Sequence, residues 1–497
     1  MERRSVLHHD DEVRAAAWRR LVEILEAHAA GVVADDAPIV PSMTPEAIAA
    51  ALADLDFDAP REPVAVVEAV ARGLELGTVH TDHPRYFGLF NPAAATLAVI
   101  GDALASGFNS QLATRDHAPF PVAAEEHVIA ELGARFGWDR ANAFGAFTSG
   151  GGEANATALQ CALAHAFPGV AEHGVRSLSG EPRVYVSGEG HATIGRAARL
   201  AGLGAHAVRI VPADGAQRMK SAALREAIAR DRAEGGLPFL VVATAGTTST
   251  GAIDPLPEIA TIAERERCWL HVDAAWGGLA ALVPELRPSI VGIERADSIT
   301  FDAHKIMSAP MGTGTFLTRH DEILERVFAD RTGYMPRRAT RNPYSRSMQW
   351  SRRFLGARVL LPLAAVGWEG YATSLRRQVA LARRLRDALA AGGWTIVGDT
   401  PLPIVCFVEG AEGAPSGEGA AGGDRGKRPA QRLDAIARAT IGAGAGWISV
   451  PRLASGQRVL RACVNNHRTE EADIDRLVAA LDAARRAPAE GADGDGD

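Results

Sequence analysis

Residues 238–245 read Pro238-Phe-Leu-Val-Val-Ala-Thr-Ala245, a helical stretch follows at 256–267, and a second apolar run at 268–273 closes on Asp273. A short unbroken apolar run is a strand covered on both faces, and a helix between two such runs brings the second back parallel to the first. Outward from this unit the pattern repeats. Further strand-like runs lie at 183–187, 207–211, 298–302 and 314–318, with helical stretches at 153–166, 190–203 and 219–234. Repeated β-α units predict an α/β fold with a mostly parallel sheet and helices on both faces. Ligands of such sheets gather in the loops at the carboxyl ends of the strands.

The flanks read differently. In 12–31, Trp18, Leu21, Val22 and Leu25 form an i, i+3, i+4, i+7 stripe. Thr44-Pro45-Glu46 has the N-cap and first-turn proline of a second helix, and 63–76 reads as a third. Residues 1–84 are therefore expected to form a helical N-terminal arm that needs something to pack on, a partner subunit being one candidate. Residues 85–365 are expected to form the large domain, with a polar loop at 328–346, and 366–486 a smaller C-terminal αβ domain. The Gly-rich insertion at 409–429 and the tail at 487–497 have the composition of disordered chain.

Composition excludes some partners. The 497 residues hold 53 Lys+Arg against 60 Asp+Glu, a net charge of −7, which gives no electrostatic reason to expect nucleic acid or an anionic membrane. No apolar stretch approaches the length of a membrane span, and no apolar run follows Met1-Glu-Arg-Arg-Ser5, so no secretory signal is read. Cys161, Cys268, Cys406 and Cys463 are scattered, as buried thiols of a reducing cytoplasm would be. Lysine stands only at 220, 305 and 427, so 50 of the 53 basic residues are arginine. Arginine serves wherever positive charge suffices, and its guanidinium is a poor nucleophile. Lys220 and Lys427 sit in polar or Gly-rich surroundings; Lys305 ends the run Ser298-Ile-Thr-Phe-Asp-Ala-His-Lys305.

Thr148-Ser-Gly-Gly-Gly-Glu-Ala-Asn155 sets a Gly-rich turn before a helix, where converging amides suit a phosphate, or simply make a tight connection. Asp273 ends an apolar strand and suits a protonated ring nitrogen, or a helix N-cap. His271, Asp273 and His304 have metal-ligating side chains, but few further ligands lie near them and no metal is expected. Lys305 follows Asp273 by 32 residues, about one helix and one strand, so both reach the same sheet edge, where a desolvated amine attacks an aldehyde. His191, after the turn Gly188-Glu-Gly190, is placed there to stack on a flat cofactor, although a lone histidine is often structural.

Together these stretches resemble the group II pyridoxal-phosphate decarboxylases, the aromatic-amino-acid and glutamate decarboxylase type. The resemblance is carried by His83-Pro-Arg-Tyr-Phe-Gly, Thr148-Ser-Gly-Gly-Gly-Glu-Ala-Asn, Gly190-His191, Ala243-Thr-Ala-Gly-Thr-Thr, His271-Val-Asp-Ala-Ala-Trp, His304-Lys305 and Gln349-Trp-Ser-Arg-Arg-Phe, in order over roughly 40–485. It implies a pyridoxal-phosphate transferase-type fold (fold type I) and a homodimer with active sites at the interface. By the same resemblance Lys305 carries the cofactor as a Schiff base, Asp273 pairs with its ring nitrogen and His191 stacks on it. Gly151 and Gly152 fall at phosphate contacts, and Thr244, Ala275, Asp302 and His304 line the cofactor. Ala303 and Ile306 depart from a frequent Pro and Trp, and Asp302 stands where animal relatives carry Asn.

The cofactor stabilises a carbanion whichever bond breaks, so the protein selects the bond by orientation and proton delivery. In the family a loop tyrosine is the acid that protonates the α-carbon, and relatives with Phe there turn to oxidative deamination. Of five tyrosines, Tyr334 and Tyr344 lie in the 328–346 loop, and Tyr334, 29 residues beyond Lys305, matches the family position. The expected reaction is decarboxylation of an L-amino acid to an amine and carbon dioxide. Decarboxylation-coupled oxidative deamination, another pyridoxal-phosphate reaction, and a noncatalytic or metal-binding α/β protein are the alternatives. Phe90, Phe108 and Trp276 suit an aromatic substrate or ordinary packing; Asn109, Gln111, Arg115 and His117 suit a polar or acidic one.

Overall fold

The computed structural model describes Leu7 and residues 9–329, 341–410 and 427–487, with side chains from 431 onward in the last segment. Seven strands form the main sheet: β1 (Phe144–Thr148), β2 (Pro182–Ser187), β3 (Val208–Val211), β4 (Leu237–Thr244), β5 (Trp269–Asp273), β6 (Ser298–Asp302) and β7 (Gly314–Thr318). Their order is β1-β7-β6-β5-β4-β2-β3. The block β3-β2-β4-β5-β6 is parallel, whereas β7 runs antiparallel to both β6 and β1. The sheet is therefore mostly parallel, as the β-α repeats imply. Neither β1 nor the reversal at β7 was among the sequence expectations.

Every residue of β5, β6 and β7 is buried, because helices cover both faces. Along β4 the period of two divides the side chains. Val241 and Ala243 join one core with Leu256 and Ile259 of the helix Leu256–Arg265. Leu240 and Val242 join another with Ala154, Ala158 and Ala162 of the helix Gly151–Ala166. Alanines on that helix let it lie close against the sheet.

A smaller antiparallel sheet, β8 (Trp394–Val397), β9 (Ile404–Glu409) and β10 (Leu460–Cys463), follows in the order β10-β9-β8. It packs with the helices Ala357–Ala391, Lys427–Gly442 and Glu471–Arg486 around Phe407, Leu460 and Leu477. Segment 83–88 ties this part to the rest: Phe87 N–H donates to Trp447 O at 2.8 Å and Cys463 N–H to Phe87 O at 2.9 Å. The helices Asp11–Gly31, Pro45–Ala53 and Pro63–Gly77 each bury no residue fully. Thr44 caps the second of them, its Oγ1 accepting from Ala47 N–H at 3.2 Å. Among the described residues no helix is long and apolar enough to cross a membrane.

One edge of the main sheet matters most. Thr148, Ser187, Thr244, Asp273 and Asp302 end β1, β2, β4, β5 and β6, and Gly314, the first residue of antiparallel β7, is in register with Thr148 and Asp302.

Candidate active site

Lys305 sits on the short helix Ala303–Ile306 that follows β6. Its Nζ lies 2.9 Å from Asp302 Oδ2, and the side chain keeps 23% of its surface exposed. Lys220, by contrast, is a surface residue, and the side chain of Lys427 lies outside the described residues. Asp302 is buried, and its Oδ1 has no hydrogen-bond partner. His304 Nδ1–H donates to Thr313 O at 3.0 Å, and burial pushes the pKa of this ring down. Its Nε2 then faces Asp302 Oδ2 across 3.7 Å.

The Gly-rich turn presses against the same carboxylate. Gly150 adopts φ 145°, which only glycine holds without strain, and a Cβ on Gly314 would fall 2.6 Å from Gly150 Cα. A Cβ on Gly151 would meet Asp302 Oδ2 at 2.9 Å and the Ala275 methyl at 3.4 Å. Gly151, Ala275, Asp302 and Lys305 thus lie together at this edge. No side chain caps the helix that starts at Gly151, so its first amides are free to meet an anion. Gly152 stands one position further along that first turn.

Asp273 lies beside Thr244 in register across β5 and β4. Its Oδ1 accepts from Ala275 N–H at 3.1 Å and its Oδ2 from Asn155 Nδ2–H at 2.9 Å. Thr244 N–H donates to Asp254 Oδ2 at 2.8 Å, while the buried Thr244 Oγ1 has no partner. Burial pushes Asp254 up to about 6. His191 precedes the helix Thr193–Leu200 and is exposed, its Nδ1 held 2.9 Å from Thr193 Oγ1. Thr193 Oγ1 in turn accepts from Asn155 Nδ2–H at 2.9 Å, so hydrogen bonds join His191 to Asp273. His271 engages Ser298 and Asn155 with its two ring nitrogens.

Tyr334 lies outside the described residues. Tyr344 packs on Trp350 with ring centroids 4.7 Å apart. The aromatic candidates divide: Phe90 and Trp276 are buried against each other at 4.5 Å, whereas Phe108 is exposed. The polar candidates at 109–115 are engaged in the fold. Asn109 ends a helix at φ 46°, Gln111 Oε1 accepts from Arg352 N–H at 3.0 Å, and Arg115 Nη2 pairs with Glu126. His117 N–H donates to Thr114 Oγ1 at 3.3 Å.

Two residues passed over in the sequence stand out here. Asn155 is a buried amide in an alanine-rich helix, a placement that itself signals a polar partner. Arg461 is buried over the Phe90 ring at 5.5 Å. Its guanidinium donates to Ser449 Oγ at 2.9 Å, Thr248 O at 2.6 Å and Gly88 O at 3.0 Å, and no carboxylate among the described residues pairs with it. One arginine among fifty gave no sequence signal.

An amine beside an uncapped Gly turn, with a carboxylate at the end of the neighbouring strand, defines an enzyme class that holds an aldehyde cofactor bearing a phosphate and a ring nitrogen. The comparisons agree. Residues 45–409 match the pyridoxal-dependent decarboxylase conserved domain, and the chain belongs to this family, in its group II branch. It is 30% identical to the human acidic amino acid decarboxylase GADL1 over 365 residues, 72% of this chain and 69% of that one. It is 32% identical to the rat cysteine sulfinic acid decarboxylase over 66% of this chain and 68% of the relative. The crystal structure of mouse CSAD superposes with a TM-score of 0.87 at 28% identity, covering 96% of this chain and 99% of that one. The protein is a pyridoxal-phosphate-dependent amino-acid decarboxylase, a carboxy-lyase. The residues fit that cofactor: among the described residues the edge offers one reachable amine, the unpartnered Thr244 Oγ1 and Asp302 Oδ1, and a turn in which a side chain at 314 would overlap the Gly150 backbone and one at 151 would press on Asp302.

Proposed function

We propose that the chain converts an L-amino acid with an acidic side chain to its amine, acting as a cytoplasmic homodimer with active sites at the subunit interface. The observation that carries the site is the Lys305 amine on Asp302, beside the uncapped turn at Gly150 and Gly151. Lys305 holds the cofactor, and Asp302 orients the free amine before it binds. Gly151 and Gly152 present amides to the phosphate, and Thr244, Ala275 and His304 line the space beside it. Asp273, fixed by Ala275 and Asn155, holds the ring nitrogen, and His191 lies against the ring. Pyridoxal phosphate, once bound, supplies the electron sink for the bond that breaks at the α-carbon. Tyr334 then delivers a proton to that carbon, which commits the product to amine.

Two observations support the acidic substrate. Two relatives are named for an acidic amino acid and for cysteine sulfinic acid, while another, 36% identical over 58% of this chain, is named for L-2,4-diaminobutyrate. Arg461 is a buried cation whose described partners are all neutral, and it sits over Phe90, which packs on Trp276, three residues beyond Asp273. A substrate carboxylate would give it an opposite charge. Support for the dimer comes from apolar surface that a single chain leaves open. Trp18, Val22 and Leu74 on the N-terminal helices, and Ile100, Leu104 and Phe108 on the helix Thr96–Phe108, are exposed. The cytoplasmic assignment rests on four buried, unpaired cysteines.

A panel of L-amino acids assayed together for carbon dioxide, amine and aldehyde tests the reaction. Acidic substrates should yield equal carbon dioxide and amine, and Tyr334→Phe should shift product to aldehyde with oxygen consumed. Aldehyde from the unaltered enzyme would establish oxidative deamination instead, and an unchanged amine yield in Tyr334→Phe would remove that residue from the reaction. Sedimentation should give twice the chain mass.

A further inference from the structure

Behind the sheet edge, the polar side chains form a connected line in which each proton has a determined place. The Asp273 carboxylate has only acceptors, so the group 2.9 Å from its Oδ2 is the Asn155 amide nitrogen. That turns the Asn155 carbonyl toward His271 Nε2 at 3.0 Å, which therefore carries a hydrogen, and toward the Thr300 hydroxyl at 2.7 Å. Burial pushes the pKa of His271 down, which favours a neutral ring with Nδ1 as the acceptor. Ser298 donates its hydroxyl hydrogen there at 2.8 Å while accepting from Trp269 Nε1–H at 2.8 Å. The second Asn155 amide hydrogen goes to Thr193 Oγ1 at 2.9 Å. The Thr193 hydroxyl hydrogen is then left for His191 Nδ1 at 2.9 Å, with the Thr193 backbone N–H also aimed at that nitrogen from 3.3 Å.

We infer that Asn155 is a positioning residue that couples Asp273 to His191, orienting the carboxylate directly and, through Thr193, keeping the His191 hydrogen on Nε2. The inference rests on the reading of Asp273 and His191 as cofactor-facing groups, and it adds a reason for their joint geometry. A single amide sets the direction of hydrogen bonding at both, so a His191 ring tethered by its Nδ1 edge is ready before the cofactor arrives.

The test is histidine 15N NMR on the cofactor-free protein, with the His191 signals assigned by their loss in His191→Gln. The unaltered protein should show Nε2–H and a bare Nδ1. Asn155→Asp keeps the shape but replaces the donor by an acceptor, drawing the Thr193 hydroxyl hydrogen away from His191. The Nδ1–H population should rise about fivefold, the worth of one ordinary hydrogen bond. An unchanged tautomer in folded Asn155→Asp overturns the inference. Should that variant not fold, Thr193→Val should raise the Nδ1–H population and Thr193→Ser should restore the original state; identical spectra from the two would equally overturn it. Adding pyridoxal phosphate separates this from the reading beneath it. If the His191 signals do not move on binding, His191 does not face the cofactor, whatever its tautomer.

Discussion

Asp302, at the carboxyl end of the main sheet, and Asp231 and Asp297, at its amino end, are held in opposite ways. At the amino ends, Asp231 accepts from Tyr185 O–H at 2.7 Å and from Arg209 at 2.7 to 3.1 Å. Nearby, Asp297 accepts from Leu270 N–H at 2.8 Å, His320 at 2.8 Å and Arg319 at 3.1 Å. At the carboxyl ends, Asp302 keeps one oxygen unpartnered and Thr244 keeps a buried hydroxyl unpartnered. Buried polar atoms are normally satisfied, so the orphaned Asp302 Oδ1 and Thr244 Oγ1 suit a ligand, whereas the Asp231 and Asp297 carboxylates are satisfied by the protein, although Arg183 Nε beside Asp231 is an orphan too. One sheet divides the two tasks between its edges.

Changes at the carboxyl edge should therefore cost activity with little loss of stability. Lys305→Ala should lower carbon dioxide release by more than about a thousandfold, and Lys305→Arg should do the same, because the guanidinium keeps the charge but not the nucleophile. Lys305→Arg, which keeps a cation beside the buried Asp302, should unfold near the temperature of the unaltered, cofactor-free protein. Asp273→Asn should cost roughly 100- to 1,000-fold in kcat at saturating cofactor, the scale of a lost electrostatic partner in a buried site.

The amino edge should answer in the other currency. Asp231→Asn leaves Arg209 without its buried partner and should cost about 3 kcal/mol of stability, read by denaturant unfolding, with kcat per folded molecule unchanged. Burial pushes Asp231 and Asp297 up, but the hydrogen bonds from Arg209 and Tyr185 on one, and from His320 and Arg319 on the other, outweigh it and hold both below the usual carboxylate range. A depressed folded pKa gives stability that is present above the unfolded value, about 4, and lost as pH falls through the folded value. The stability gap between the unaltered protein and Asp231→Asn should therefore shrink below about pH 4. The smallest expected effect is at Thr244→Val. Removing an orphan hydroxyl should change the stability of the cofactor-free protein by no more than about 1 kcal/mol, while weakening cofactor binding about fivefold. A larger loss of stability than of binding there would erase the contrast between the edges.

Much of this was legible in the residues. The strands from β2 to β7 are short apolar runs bounded by turns, and Asp273 and Asp302 stand at two of their ends. Lys305 stood out because lysine is nearly absent from the chain. What stayed hidden has physical causes. Strand β1 is the short run Phe-Gly-Ala-Phe-Thr, whose Gly145 lies so close to the Phe316 carbonyl of β7 that no side chain fits; a glycine there reads as a break. The reversed direction of β7 leaves no mark in its pattern, since a strand buried on both faces reads alike in either direction. Asn155 shows its role only when helix, β5 and β6 are brought together, and the buried site of Arg461 is assembled from residues 88, 248 and 449, far apart in the chain.

The central claim, that Lys305 alone holds the cofactor, is open to one direct measurement. The enzyme loaded with pyridoxal phosphate is reduced with borohydride, digested and mapped by mass spectrometry. The account requires the reduced pyridoxyl group on Lys305, with loss of the visible absorbance in Lys305→Ala and its retention in Lys220→Ala. Label on Lys220 or Lys427, or undiminished absorbance in Lys305→Ala, would contradict it.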